Sequence, residues 1–140
     1  EVAENCWVKK TLPLLEFRCA EAMEADFPES DAFIISDMLH YLPEEQQFAL
    51  LEKCLSRLRP GGVILVREGN SSDVKGQKMT ALSEVMSTRV FSFNKTSGKL
   101  HFTSASILRD YAERLGMDFS EVHKNRLSAN TLYQFKSTGL

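Results

Sequence analysis

The sequence predicts an α/β domain built on a parallel sheet, and three observations carry that prediction. Two short apolar runs, Ala32 to Ser36 and Val63 to Val66, have the β-branched and aromatic character of strands buried on both faces. A single helical pattern lies between them. Helix and second strand then meet at Pro60-Gly61-Gly62, where proline stops a helix and glycines reverse the chain. Two buried strands joined by a helix of this length form a βαβ unit, almost always with a right-handed crossover.

The crossover helix is the best-marked element. Pro43 can occupy its first turn without loss of a hydrogen bond, Glu44 and Glu45 suit the positive end of its dipole, and Arg57 and Arg59 suit the other. Phe48, Leu51, Leu55 and Leu58 recur at helical spacing, with Leu50 and Cys54 widening the stripe, while Glu52, Lys53, Ser56 and Arg57 face away. Upstream, Glu1 to Lys10 reads as the tail of a helix. Because the chain opens there without a methionine, an excerpt from a longer polypeptide is expected. Leu15, Phe17 and Cys19 alternate with Glu16 and Arg18 as a strand that Pro13 precedes.

Downstream the pattern loosens and then recovers. Val74 to Thr88 carries Met79, Leu82 and Met86 at helical spacing, and Val90 to Phe93 with Lys99 to Thr103 suggests a small hairpin. Thr103 or Ser104 can cap a helix whose face is Ile107, Leu108, Tyr111 and Leu115, ended by Gly116. Met117 to His123 and Thr131 to Phe135 read as two strands joined through Ser128-Ala129-Asn130, and Ser137 to Leu140 as a frayed end.

Composition bounds the function. At 140 residues, 43% hydrophobic and 26% charged, the chain suits one modest globular core. A net charge of −2 and a pI near 6.0 lack the basic footprint of a protein that grips nucleic acid through phosphates, so no nucleic-acid partner is expected. No apolar run approaches the roughly 20 residues that span a bilayer, and no basic-then-apolar signal opens the chain, so no membrane partner is expected and a cytoplasmic location is. Cys19 in a strand pattern and Cys54 on a helix stripe read as small core residues, as does Cys6 beside Trp7. No Cys/His spacing points to a metal.

An acidic residue and Leu-His after a buried strand (D-M-L-H-Y-L), then P-E-E, then L-R-P-G-G-V-I-L-V, resembles the second half of class I S-adenosylmethionine-dependent methyltransferases. The resemblance is sharp from Glu16 to Glu68 and weaker from Phe102 to Phe135. It implies a partial Rossmann-like methyltransferase sheet holding strands 3 to 7 of that fold, parallel with a terminal antiparallel hairpin. Residues 1–140 are then a single incomplete domain. The family's full strand order, 3-2-1-4-5-7-6, implies four core strands ordered 4-5-7-6, with Leu15 to Cys19 either docked beside Ala32 to Ser36 as a substitute or poorly ordered. Self-association through that open edge is the competing outcome.

The resemblance also assigns a site. Glu21 and Ala22 would face the adenine of the cofactor, with Glu21 where the family more often has Asp, and Ser36, Asp37, Met38 and Leu39 would pass its methyl-donor end. His40 stands where several small-molecule O-methyltransferases carry a catalytic histidine, and a neutral imidazole there could take a hydroxyl proton. Tyr41, Arg67 and Asn70 would contact substrate; Arg67 and Glu68 lie at the carboxyl end of the second buried strand, where a local structural role for the two is the alternative. Phe91, Phe93 and Phe102 would line a pocket or belong to the core. The glycine-rich turn and the ribose carboxylate of the family are both missing, since no G-x-G occurs in the chain. The implied function is methyl transfer to a small molecule, at a hydroxyl, by the complete parent protein. The upstream part of the same polypeptide is thus a partner, and weak or absent S-adenosylmethionine binding by this chain is expected. The alternatives are a degenerate interaction module without activity and a piece of another doubly wound domain such as a dehydrogenase.

Overall fold

The computed structural model describes residues 14–69, 101, 103–124 and 130–138. The elements run β1 (Ser30–Ser36), a single 3₁₀ turn (Leu39–Tyr41), α1 (Glu44–Ser56), β2 (Leu58–Gly69), α2 (Ala105–Arg114), β3 (Met117–Lys124) and β4 (Asn130–Ser137). The four strands form one sheet in the order β1-β2-β4-β3. This is the order 4-5-7-6 that the resemblance implies.

The central unit exists as its sequence foretold. Parallel pairing runs from Ala32 opposite Val63 to Ser36 opposite Arg67. β2 pairs antiparallel with β4, and β4 with β3, which gives the closing hairpin. Pro43 lies at the N-cap and Glu44 and Glu45 fill the first helical turn. The irregular stretch of β2 between Leu58 and Val63, where its register with β1 shifts, needs its glycines for two separate reasons. Gly61 has φ +76°, and a Cβ on Gly62 would stand 2.7 Å from the Leu58 side chain and 2.8 Å from the Asp31 carbonyl. Ser104 caps α2, its hydroxyl accepting from Ile107 N, and Gly116 ends that helix with φ +65°.

Both helices cover one face of the sheet. Strand alternation sends Ile35, Ile64, Val66, Tyr133 and Phe135 to that face, where they join Leu50, Leu51, Cys54, Leu108, Tyr111 and Ala112 in the core. On the other face Ala32, Ser36, Arg67 and Lys136 are exposed, Ile34 is 73% exposed, and Val63, Leu65, Leu132 and Gln134 are half-buried.

Several expectations need correction. β1 is not buried on both faces, because among the described residues no helix lies on its second one. Leu15 to Cys19 is not a strand: it joins no ladder in either the substitute position or any other, and a lone extended segment has no partner for its backbone. Cys19 is accordingly exposed rather than in the core. The buried centre of α1 is Gln47, Leu50, Leu51 and Cys54, with Phe48 and Leu55 at its margins. Gln47 earns its place by donating to two backbone carbonyls, Leu42 O at 3.0 Å and His101 O at 2.9 Å. α1 ends at Ser56, before Pro60, and β2 begins already at Leu58, so Arg59 pairs with Asp31 across the strands at 3.1 Å instead of facing a helix end. Ser137 belongs to β4 rather than to a frayed end. The expected first helix, the Val74 to Thr88 helix and the hairpin after it, with Cys6, Phe91, Phe93 and Phe102, lie outside the described residues.

Candidate active site

Parallel pairing of β1 and β2 brings their carboxyl ends together, and the antiparallel β4 adds its first residues to the same edge. The chain leaving β1 must turn across that edge to start α1. Ser36 ends the strand, Asp37 takes a left-handed backbone with φ 51°, and its N–H donates to Arg67 O at 2.9 Å. Met38 follows, then the 3₁₀ turn of Leu39, His40 and Tyr41.

One side chain holds this turn. Glu68 continues the core-facing parity of Ile64 and Val66, and it is fully buried. Its Oε1 accepts from the N–H groups of Met38 at 2.8 Å and Leu39 at 2.6 Å, and its Oε2 lies 2.7 Å from His40 Nδ1. A buried carboxylate persists when several donors replace its lost hydration, and three converge here. His40 is itself 4% exposed, its ring stacked in a tilted contact 4.1 Å from Tyr41, and its carbonyl accepts from His101 N at 2.8 Å. Thr131, opposite Glu68 on β4, and Tyr133 two residues on add buried hydroxyls to this face. Burial pushes the Tyr133 hydroxyl up from its ordinary pKa, the neighbouring Thr131 side chain opposes this, and the Glu121 and Glu68 carboxylates reinforce it.

The neighbouring strand residue points the other way. Arg67 forms an ion pair with Asp37 on the open face, with the Ser36 hydroxyl 3.1 Å from Asp37 Oδ2. Arg67 and Glu68, for which a local structural role was the alternative to substrate contact, each hold a different part of the turn, because consecutive residues of a strand face opposite sides.

Of the remaining expected residues, Glu21 opens an exposed turn whose carbonyl accepts from Glu24 N at 3.1 Å and Ala25 N at 2.8 Å. Ala22 is half-buried. Lys53 fixes this turn to α1, donating to Ala22 O at 3.2 Å and Met23 O at 2.8 Å with its ammonium 4.7 Å from the Phe27 ring centre. Lys53 was expected to face away from the core, and this contact corrects that. A cavity of about 450 Å³ runs between the turn, β1 and α1, lined by Ala22, Phe27, Phe33, Ser36, Met38 and Leu50 among others. Asn70 lies outside the described residues. The structure thus gathers Ser36 to Tyr41 and Arg67 at one edge, with Ala22 lining the same cavity as Ser36 and Met38. A larger cavity of about 730 Å³, between Pro43, Phe48, Tyr111 and Arg114, touches none of these.

Two organising residues were missed in the sequence. Glu68 was legible: it sits two residues beyond Val66 on a core-facing period, where a carboxylate must find donors. Gln47 falls three residues before Leu50 and four before Leu51, on the buried helical period.

No family model matches the chain. Over 58 residues, 41% of the chain, it is 36% identical to carboxy-S-adenosyl-L-methionine synthase of Helicobacter hepaticus, of which those residues are 24%. Among solved structures it is similar to an O-methyltransferase family protein from Burkholderia thailandensis, with TM-score 0.68, 18% identity, and coverage of 94% of this chain and 38% of that one. It is also similar to human N-acetylserotonin methyltransferase in complex with SAM, with TM-score 0.64, 20% identity, and coverage of 94% and 37%. The chain spans between about a quarter and two fifths of the length of these proteins. Its four-stranded mixed sheet, order and closing hairpin included, is that of the C-terminal portion of the class I S-adenosylmethionine-dependent methyltransferase fold.

Proposed function

We propose that the complete protein transfers a methyl group from S-adenosylmethionine to a hydroxyl of a small molecule, and that this chain supplies one wall of the site and its base. The observation that carries the reading is the Glu68 carboxylate, which fixes the turn at Met38 and Leu39 and the imidazole of His40 together at the carboxyl edge of the sheet, where open α/β sheets bind ligands. Neutral imidazole with its proton on Nδ1, donated to Glu68, carries its lone pair on Nε2. That nitrogen takes the proton of the acceptor hydroxyl as the acceptor oxygen forms its bond to the methyl carbon and the bond from that carbon to sulfur breaks. The rest is alignment.

The residues fit the adenine end of such a cofactor. The cavity of about 450 Å³ is in the range of small-molecule pockets, is mainly apolar, and has both Ala22 and Met38 in its lining. The sulfonium, when bound, supplies the methyl group. Its binding also needs the glycine-rich turn and ribose carboxylate that this chain does not contain, so titration of the chain with S-adenosylmethionine should give no better than millimolar affinity, each missing hydrogen bond forfeiting about 0.5–3 kcal/mol.

The test is made on the complete protein with methyl-labelled S-adenosylmethionine and a panel of phenols and aliphatic alcohols. His40→Gln should lower turnover by roughly 10²–10⁴-fold, as loss of a general base does, and leave cofactor affinity within about twofold. Wild-type turnover in that variant would refute the base. A second reading, an interaction module without activity, draws on the depth of the same pair: at 4% exposure for His40 and none for Glu68, the two can serve as a staple of the turn alone. It requires that no panel member be methylated.

A further inference from the structure

Asp37 and Arg67 carry more than a surface ion pair requires. Asp37 holds a left-handed backbone, which Asp adopts more readily than most non-glycine residues, and such positions gather at ligand clamps. Arg67 meets it twice: its carbonyl accepts the Asp37 N–H at 2.9 Å and its guanidinium pairs with the Asp37 carboxylate. The pair is nevertheless accessible, with side chains 42% and 47% exposed, so water weakens it. It stands at the carboxyl edge of the sheet, beside the turn that carries His40. A planar guanidinium fork matches a carboxylate with two parallel hydrogen bonds better than any other side chain does.

We infer that Arg67 is a carboxylate-recognition residue, and that Asp37 occupies its fork as an internal substitute for the carboxylate of an acidic ligand. An incoming carboxylate takes the Arg67 donors and the Asp37 side chain turns into water, releasing the turn at Ser36 and Asp37 for a second conformation. No covalent step is involved. Two sources share this chemistry: the amino-acid end of the cofactor and an acidic methyl acceptor. The place of this step in catalysis rests on the methyl-transfer reading, while the recognition itself does not.

Benzoate and acetate, titrated into the nitrogen-15-labelled chain, serve as probes, with the Arg67 side-chain N–H resonance as readout. Wild type should saturate in the millimolar range. Asp37→Asn should tighten binding by up to about fivefold, the equilibrium factor of an exposed ion pair, and Arg67→Gln should abolish it in either background. Asp31→Asn removes a like charge from the distant Asp31–Arg59 pair and should change nothing. Equal tightening in Asp31→Asn and Asp37→Asn, or binding that survives Arg67→Gln, overturns the proposal. In the complete protein, Arg67→Gln weakening S-adenosylhomocysteine but not methylthioadenosine, which lacks the amino-acid end, assigns the site to the cofactor. Unchanged affinity for both, with benzoate binding lost, assigns it to the acceptor. A complete protein that binds neither nucleoside refutes the methyl-transfer reading and leaves the benzoate result standing.

Discussion

Arg67 and Glu68 are adjacent in the chain and charged, yet they live in different solvents. Strand alternation sends Arg67 to the open face, where its partner Asp37 is half-exposed, and Glu68 to the helix-covered face, where it has no exposure at all. The exposed pair gains little, because water competes for both charges. The buried carboxylate gains nothing from water, so its energy depends wholly on three donors, two of them backbone N–H groups of the His40 turn. One position can therefore exchange partners and the other cannot. In the reading proposed above, the anchor of the His40 turn and the ligand contact are consecutive residues of β2.

Breaking the interior side should have the largest effect. Glu68→Ala leaves the Met38 and Leu39 N–H groups and His40 without their shared acceptor, and we expect a loss of about 3–5 kcal/mol in urea-induced unfolding of the chain. Arg67→Ala in the same assay should cost under about 1 kcal/mol. Equal losses for the two variants would erase the distinction.

Alkaline titration sharpens the comparison at intermediate strength. Burial pushes the Cys54 thiol up to about 11, against a smaller lowering by Lys53, and pushes the Tyr111 hydroxyl up to about 12, with Glu44 adding to the rise and Arg114 opposing it. Both groups belong to the covered face. Each keeps its proton longer folded than unfolded, so the stability it contributes is complete below its ordinary pKa and is lost as pH rises through the shifted one. The chain should therefore lose stability between about pH 9 and 12, first through Cys54 and then through Tyr111. Cys54→Ala should remove the early part of that loss, and a flat profile across the interval would show the covered face to be wetter than its burial implies. The same burial predicts that a thiol reagent at pH 8 labels the exposed Cys19 and spares Cys54, as peptide mapping would show.

The open face should give the smallest effect. Ile34 is 73% exposed, so Ile34→Lys should move folding stability by no more than about 0.5 kcal/mol. Sedimentation at raised concentration measures the other half of the comparison: if the edge and face of β1 that no described element covers pair between copies, the lysine should return the chain to monomer. A destabilisation of several kcal/mol would mean that Ile34 is covered after all.

Local physical chemistry determined more of this protein than its low identity to solved structures suggests. Proline at a helix start, a glycine pair at a strand entry, helical and alternating periods, and the L-R-P-G-G turn are each decided within about a dozen residues, so the βαβ unit, the second helix and the closing hairpin were legible from the chain alone. The segment Asp37 to Tyr41 stood out through the family resemblance of D-M-L-H-Y-L rather than through local physical chemistry. Whether Leu15 to Cys19 forms a strand could not be read locally, because alternation states a preference and a ladder requires a neighbour. Cys19 and the second face of β1 followed it out of the core. Tertiary structure alone decided who pairs with whom: that Glu68 reaches 28 residues back to His40, that Gln47 holds His101 across 54, and that Asp37 forms an ion pair with Arg67. These partners meet through sheet register and helix packing, and no sequence period encodes the distance between them.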